Sequence, residues 1–161
     1  MQVLPGKLKA EELIPSFTLP SAGGSMIGPR MYHHRRSLVL FFFHDGRCQV
    51  CERLLTDFAG RYDEIRSENG EVLAVTTASA GDARAMANRL NLPFPLLYDT
   101  SGKVVERFTQ VEQDSGRVVP SVVITDRFGA VYTTLLVHET KPPSADAVLE
   151  WLNFIELQCP E

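Results

Sequence analysis

The sequence predicts an α/β fold: a central mixed β-sheet flanked by helices, with an N-terminal β-hairpin extension. Two observations carry this. Two continuous apolar runs, SLVLFFF (37–43) and EVLAVTT (71–77), are each followed by a segment of helical pattern. Strands buried on both faces, alternating with helices, are the pattern of a parallel sheet. Later, PSVVITD (120–126) and FGAVYTTLLV (128–137) flank a turn at 126–129, which predicts an antiparallel pair added to that sheet.

The elements follow in order. In IPSFTLPSAGGSMIG (14–28), Phe17, Thr18 and Leu19 are strand-like and residues 20–24 supply a turn, so a short hairpin is expected. MYHHRRS is polar and reads as one helical turn before the first buried strand. A helix is expected over 49–68, because Val50, Leu54, Phe58, Tyr62 and Ile65 recur every three or four residues and Asn69-Gly70 is a stop signal. DARAMANRLN forms a second helix that ends before Pro93. FPLLYD is a short strand, SGKVVERF a helical turn or two, and 110–117 a polar loop. Pro142-Pro143 breaks the chain, and Ser144 caps a last helix with Val148, Trp151, Leu152 and Ile155 on one face. The order of elements is expected to place helices on both faces of the sheet.

The 161 residues suit a single domain spanning 1–161. With 44% hydrophobic and 22% charged residues the composition is that of an ordinary globular protein, and a net charge of −4 argues against nucleic acid as a partner. No apolar run reaches the roughly 20 residues that span a bilayer. The opening MQVLPGKLKAEELIP lacks an apolar signal core, so a cytoplasmic location away from membranes is expected. Three cysteines are too few for a disulfide-stapled scaffold and point to a catalytic or metal role for the close pair.

That pair is Cys48 and Cys51, a Cys-x-x-Cys at the junction of the first buried strand and the first long helix. A helix N-terminus offers unpaired N–H groups and partial positive charge, which favour a thiolate. The thiolate is the reactive form. Cys48 is therefore the candidate nucleophile and Cys51, in the first turn, the candidate resolving thiol. Arg47 adjoins Cys48 and is a candidate for stabilising the thiolate or attracting an anionic partner. Asp45 opposes it, and His44 is a candidate base or hydrogen-bond partner. Cys159, near the C-terminus, is expected to be a free, non-essential thiol. His33, His34, Arg35 and Arg36 form a basic cluster read as a solvated turn. His138 would be a metal ligand only if the fold brought it to the cysteines.

IPSFTLPSAGG, LVLFFFHDGRCQVC, LNLPFPLLYDTSGKVVERF and VPSVVITDRFGAVY, in this order, resemble a thioredoxin-like fold and, more narrowly, the redoxin branch: the alkyl hydroperoxide reductase/thiol-specific antioxidant family of peroxiredoxin-like proteins. The similarity spans nearly the whole chain. It implies an oxidoreductase with a redox-active disulfide between Cys48 and Cys51, needing no organic cofactor and no metal. It also implies a cis Val119–Pro120 bond facing the disulfide, with the Val119 backbone offered to a bound substrate chain. Substrates would be disulfide proteins or hydroperoxides, the reductant a thioredoxin- or glutathione-type thiol, and the assembly a monomer or homodimer.

The match has departures. Arg47 stands where thioredoxin-like loops usually carry Trp, and Gln49-Val50 separate the cysteines. The peroxiredoxin Pro-x-x-x-Thr-x-x-Cys is absent: set on Cys51, its Pro and Thr fall on His44 and Cys48; set on Cys48, on Phe41 and Asp45. These departures favour thiol–disulfide exchange, with peroxidase activity as the alternative. Two further classes are a soft-metal module, against which the two-residue cysteine spacing and the late His138 argue, and a non-catalytic thioredoxin-like binding domain.

Overall fold

The computed structural model describes residues 6–158. Its central sheet has five strands in the order β5 (Leu96–Tyr98), β4 (Gly70–Thr76), β3 (Ser37–Phe43), β6 (Ser121–Thr125) and β7 (Val131–Leu136), with a separate hairpin of β1 (Leu19–Pro20) and β2 (Met26–Ile27). The middle strand β3 (Ser37–Phe43) is buried along its whole length, as is β4 (Gly70–Thr76) beside it. Both serve two cores. Val39, Phe41 and Phe43 face one cluster, and Leu38, Leu40 and Phe42 face the other. The period-2 alternation of a strand explains why an uninterrupted apolar run was required there.

β3 pairs parallel with β4, and β4 parallel with β5 (Leu96–Tyr98); β6 (Ser121–Thr125) runs antiparallel to β3, and β7 (Val131–Leu136) antiparallel to β6. The mixed sheet and its antiparallel edge are as the sequence predicts. The distribution of helices differs. α1 (Gln49–Gly60), α2 (Tyr62–Ser67), α3 (Ala80–Leu90) and α4 (Ala145–Gln158) all contribute buried residues to one cluster. The other face is closed by Leu8, Phe17, Leu19 and Ile27 and by a 3₁₀ turn over Val105–Arg107. The reason is topological: β3, β4 and β5 step across the sheet in one direction, and right-handed crossovers then put successive helices on the same side.

The single helix expected over 49–68 is two. Gly60, a poor helix former, precedes Arg61, whose φ of −112° and ψ of 16° end α1 and begin α2. The break is tied to α4. Asp57 accepts from the Ala145 N–H at 2.8 Å, and Arg61 donates to Asp146 at 2.7 Å. Ser144 caps α4 through the Ala147 N–H, as expected. The polar stretch before β3 holds a 3₁₀ turn over Pro29–Tyr32, earlier than the turn expected at MYHHRRS.

The N-terminal segment also covers sheet edges. Ser21 bridges Leu97 beside β5, and Leu13 bridges Ala130 beside β7. Unpaired edges invite association with other strands, and these bridges shorten both. Among the described residues no helix is long and apolar enough to cross a membrane. Cys159 lies outside the described residues.

Candidate active site

The site forms where the carboxyl ends of β3 and β4 meet the start of β6 and the end of β7. Past Phe43 the chain is pinned by its neighbour strand: the His44 carbonyl accepts from Thr76 Oγ1 at 2.7 Å and from Thr77 Oγ1 at 3.0 Å. Thr77 Oγ1 also lies 3.1 Å from His44 Nδ1, which fixes the ring. Asp45 then closes a local turn by accepting from the Arg47 N–H at 2.9 Å. Its other carboxylate oxygen lies 3.6 Å from His44 Nε2 and 3.5 Å from Arg47 Nε. Asp45 thus faces two basic side chains at the loop.

Cys48 is the N-cap of α1: its backbone is extended and its Sγ accepts from the Cys51 N–H at 3.2 Å. Cys51 is a disulfide partner 5.2 Å away between Cα atoms. The two sulfurs have opposite surroundings. Cys51 is 1% exposed, packed among Phe41, Val50 and Leu54 in the helix-side core, whereas Cys48 is half-buried and opens onto solvent. A reagent arriving from outside therefore meets Cys48.

Cys48 lies in a groove of about 930 Å³. Its loop wall is His44, Asp45 and Arg47; its helix wall continues through Val50 to Arg53; Val118, Pro120 and Val137 lie opposite. Pro120 and Val137 are held together, since the Val137 N–H donates to the Pro120 carbonyl at 2.9 Å. Val137 and Glu139 line the groove, and His138 between them does not. Alternation along the chain leaving β7 turns its side chain away from the cysteines. Among the described residues no group of three or more His, Cys, Asp or Glu side chains is placed to hold a metal ion. At the far end of β3, His33 meets His34 edge-on, and His34 meets Phe128 edge-on.

The cis bond expected at Pro120 is not found. Every described peptide bond is trans, the Val119–Pro120 bond included. The Val119 backbone is also engaged within the chain. Its N–H donates to the Gln110 carbonyl at 2.9 Å, and its carbonyl accepts from Thr109 Oγ1 at 2.8 Å and Ser121 Oγ at 3.1 Å. Thr109 Oγ1 and Ser121 Oγ also lie 2.7 Å apart, so one of their two protons is used between them and the carbonyl accepts from one hydroxyl at a time. The buried hydroxyls of Thr109 and Ser121 need partners, and Val119 supplies one. Val119 therefore does not line the groove, while Arg47 does, with its side chain 93% exposed.

Two arginines outside the candidate site residues also reach the groove, and one of them, Arg117, stands close in sequence to the place of the peroxiredoxin arginine. Arg53 is on α1, five residues after Cys48. Arg117 arrives from the 110–117 loop, which is a tight hairpin: Glu112 donates to the Arg117 carbonyl at 2.8 Å, Gly116 donates to the Glu112 carbonyl at 2.7 Å, and Val111 bridges Val118. Gly116 takes φ 71° at the turn. The Asp114-Ser115-Gly116 triplet is the sequence signal for that turn, and it places Ser115 and Arg117 over the groove.

A family model described as the AhpC/TSA family matches residues 10–134, a span that holds Cys48, Cys51, Arg53, Arg117 and Pro120. This chain belongs to the AhpC/TSA family. Among curated proteins it is 24% identical over 114 residues to peroxiredoxin bcp1 of Schizosaccharomyces pombe, covering 71% of this chain and 58% of that one. It is 27% identical over 101 residues to peroxiredoxin Bcp of Escherichia coli K12, covering 63% and 64%. It matches the chloroplastic peroxiredoxin Q of Triticum aestivum at 26% identity over 62% of this chain and 45% of that one. The chain thus spans between 45% and 64% of these relatives' lengths. The solved peroxidoxin BcpB of Mycobacterium tuberculosis superposes with a TM-score of 0.81 at 19% identity, over 91% of this chain and 97% of that one. AhpC of Enterococcus faecalis gives the same TM-score at 17% identity, over 92% of each chain. These superpositions establish the thioredoxin-like, peroxiredoxin-type fold.

Proposed function

We propose that this chain is a thiol-dependent peroxidase that cycles Cys48 and Cys51 between dithiol and disulfide. The observation that carries the reading is the asymmetry of the pair: an accessible Cys48 capping a helix, bonded to a buried Cys51 three residues on. The helix N-terminus and the Cys51 N–H favour negative charge on Cys48 Sγ. The relatives named as peroxiredoxins supply the class of oxidant.

In the oxidative half, the Cys48 thiolate attacks the terminal oxygen of a hydroperoxide. The O–O bond breaks, an alcohol or water leaves after taking up a proton, and Cys48 becomes a sulfenic acid. The Cys51 thiol then attacks the Cys48 sulfur, the S–O bond breaks, water leaves, and the disulfide forms. Both cysteines belong to the first turn of one helix, so no element need unfold for the second step. In the reductive half, an external thiolate attacks the exposed Cys48 sulfur and two thiols restore the dithiol by thiol–disulfide exchange. Exchange, the activity the sequence departures favour, is then the second half of the cycle. A docked protein chain is less well supported as the oxidant, because the Val119 N–H is already bonded to the Gln110 carbonyl. A reducing compartment such as the cytoplasm, the location proposed for this chain, would keep the cycle turning.

Trapping separates the steps. Reduced Cys51→Ser treated with one equivalent of hydrogen peroxide and then dimedone should carry a single adduct on Cys48 by mass spectrometry. Cys48→Ser under the same conditions should carry none. An adduct on Cys51 in the Cys48→Ser protein, formed equally fast, would reverse the assignment and contradict the reading.

A further inference from the structure

The groove holds two cations that have no ion-pair partner among the described residues. Arg47 is matched by Asp45, and Arg61, Arg66 and Arg89 are matched by Glu64, Glu71 and Glu52. Arg53 and Arg117 have no such match, and they approach Cys48 from different elements, one from α1 and one from the hairpin before β6. Glu139 is the remaining carboxylate in the lining. Three guanidinium groups and two carboxylates leave the groove positive, on a chain whose net charge is −4. A neutral peroxide of two oxygens makes little use of such charge or of a space of about 930 Å³, which lies in the range of small-molecule sites.

Resting on the cycle above, we propose that the groove selects negatively charged low-molecular-weight thiols as the reductant of the Cys48–Cys51 disulfide. The thiolate of such a molecule attacks Cys48 Sγ, its carboxylate drawn by Arg53 and Arg117. The Cys48–Cys51 bond breaks, Cys51 leaves as a thiolate and takes up a proton, and a mixed disulfide remains on Cys48. A second thiolate attacks the outer sulfur of that mixed disulfide, releasing the small disulfide and the Cys48 thiolate. Two thiols are oxidised and one protein disulfide is reduced. Cys51 is too buried to be the point of attack, so the charge around Cys48 governs entry.

The test uses the oxidised full chain and three monothiols of similar size: 3-mercaptopropionate (anionic), 2-mercaptoethanol (neutral) and cysteamine (cationic). Each rate is divided by that thiol's rate with the uncharged small disulfide 2-hydroxyethyl disulfide, which removes differences in nucleophilicity. The anionic thiol should be preferred over the neutral one by about tenfold at low salt, the lower end of what charge focusing in a cleft delivers, and the cationic thiol should be the slowest. The preference should shrink to within about twofold in Arg53→Gln/Arg117→Gln and in 0.5 M sodium chloride, as screening requires. Arg35→Gln, at the far end of β3, should retain it and so separate local from net charge. Equal normalised rates for all three thiols in the unaltered protein would overturn the inference and leave the peroxidase reading standing. A disulfide that none of the thiols reduces would instead sink the cycle itself.

Discussion

Half-buried Tyr62 and buried Glu71 form a hydrogen-bonded pair at the opposite end of the strands from the cysteines. Glu71 is 4% exposed and is satisfied by three donors: Tyr62 Oη at 2.6 Å, Arg66 Nη1 at 3.0 Å and the Val72 N–H at 3.0 Å. Burial, and then the hydrogen bond given to Glu71, push the Tyr62 hydroxyl up to about 12, with Arg66 opposing. The linkage has a definite sign. The folded state holds this proton more tightly than the unfolded chain, whose tyrosine titrates near 10. The contribution to stability is complete below that value and is lost as pH rises from about 10 toward 12. A 295 nm absorbance titration should therefore show a late tyrosinate step that shrinks by one tyrosine in Tyr62→Phe. The variant should also lose less stability across that interval. Four tyrosines ionising together near 10 would contradict the arrangement. Tyr32 shares the upward direction through its own burial, so it titrates on the late side as well.

At the scale of elements, α1 sets the site because its apolar stripe seats it on β3. Phe58 is fully buried and meets Phe41 edge-on, with ring centres 6.3 Å apart. Phe58→Ala should cost about 3–5 kcal/mol in chemical denaturation, with the Cys48–Cys51 disulfide still formed. A loss below about 1 kcal/mol would mean that α1 is not held by this stripe. The stripe was legible in the sequence because Val50, Leu54 and Phe58 carry it. The break at Arg61 was not, since Tyr62 and Ile65 continue the same spacing and only Asp57 and Arg61, reaching α4, show why the axis ends there. The same limit applies to Val119-Pro120. A dipeptide states where a strand begins, but the hydroxyls that bind its carbonyl come from Thr109 and Ser121, one of them twelve residues away from the other.

For the whole molecule, strand order decides which loops meet. The apolar runs and the antiparallel pair specify the sheet, so the strand–Cys-x-x-Cys–helix junction and its resting place at the carboxyl end of β3 could be read directly. What β6 brings to that junction could not. Arg117 sits in a polar loop with no periodicity, and it reaches Cys48 only because β6 lies antiparallel beside β3 and the loop before it folds back as a hairpin. Arg53 was hidden differently, as one polar residue on the open face of an amphipathic helix. The arrangement joins an exposed sulfur, a buried one and a positive groove at one edge of the sheet. In this arrangement Cys48 should react with hydroperoxide faster than a thiol in water does. The most direct measurement is stopped-flow mixing of the reduced protein with hydrogen peroxide, following Trp151 fluorescence and free thiols. Oxidation should be far faster than that of free cysteine, with two thiols lost per chain, abolished by Cys48→Ser and reduced to one thiol lost in Cys51→Ser. Oxidation at the rate of an ordinary thiol would contradict the peroxidase reading.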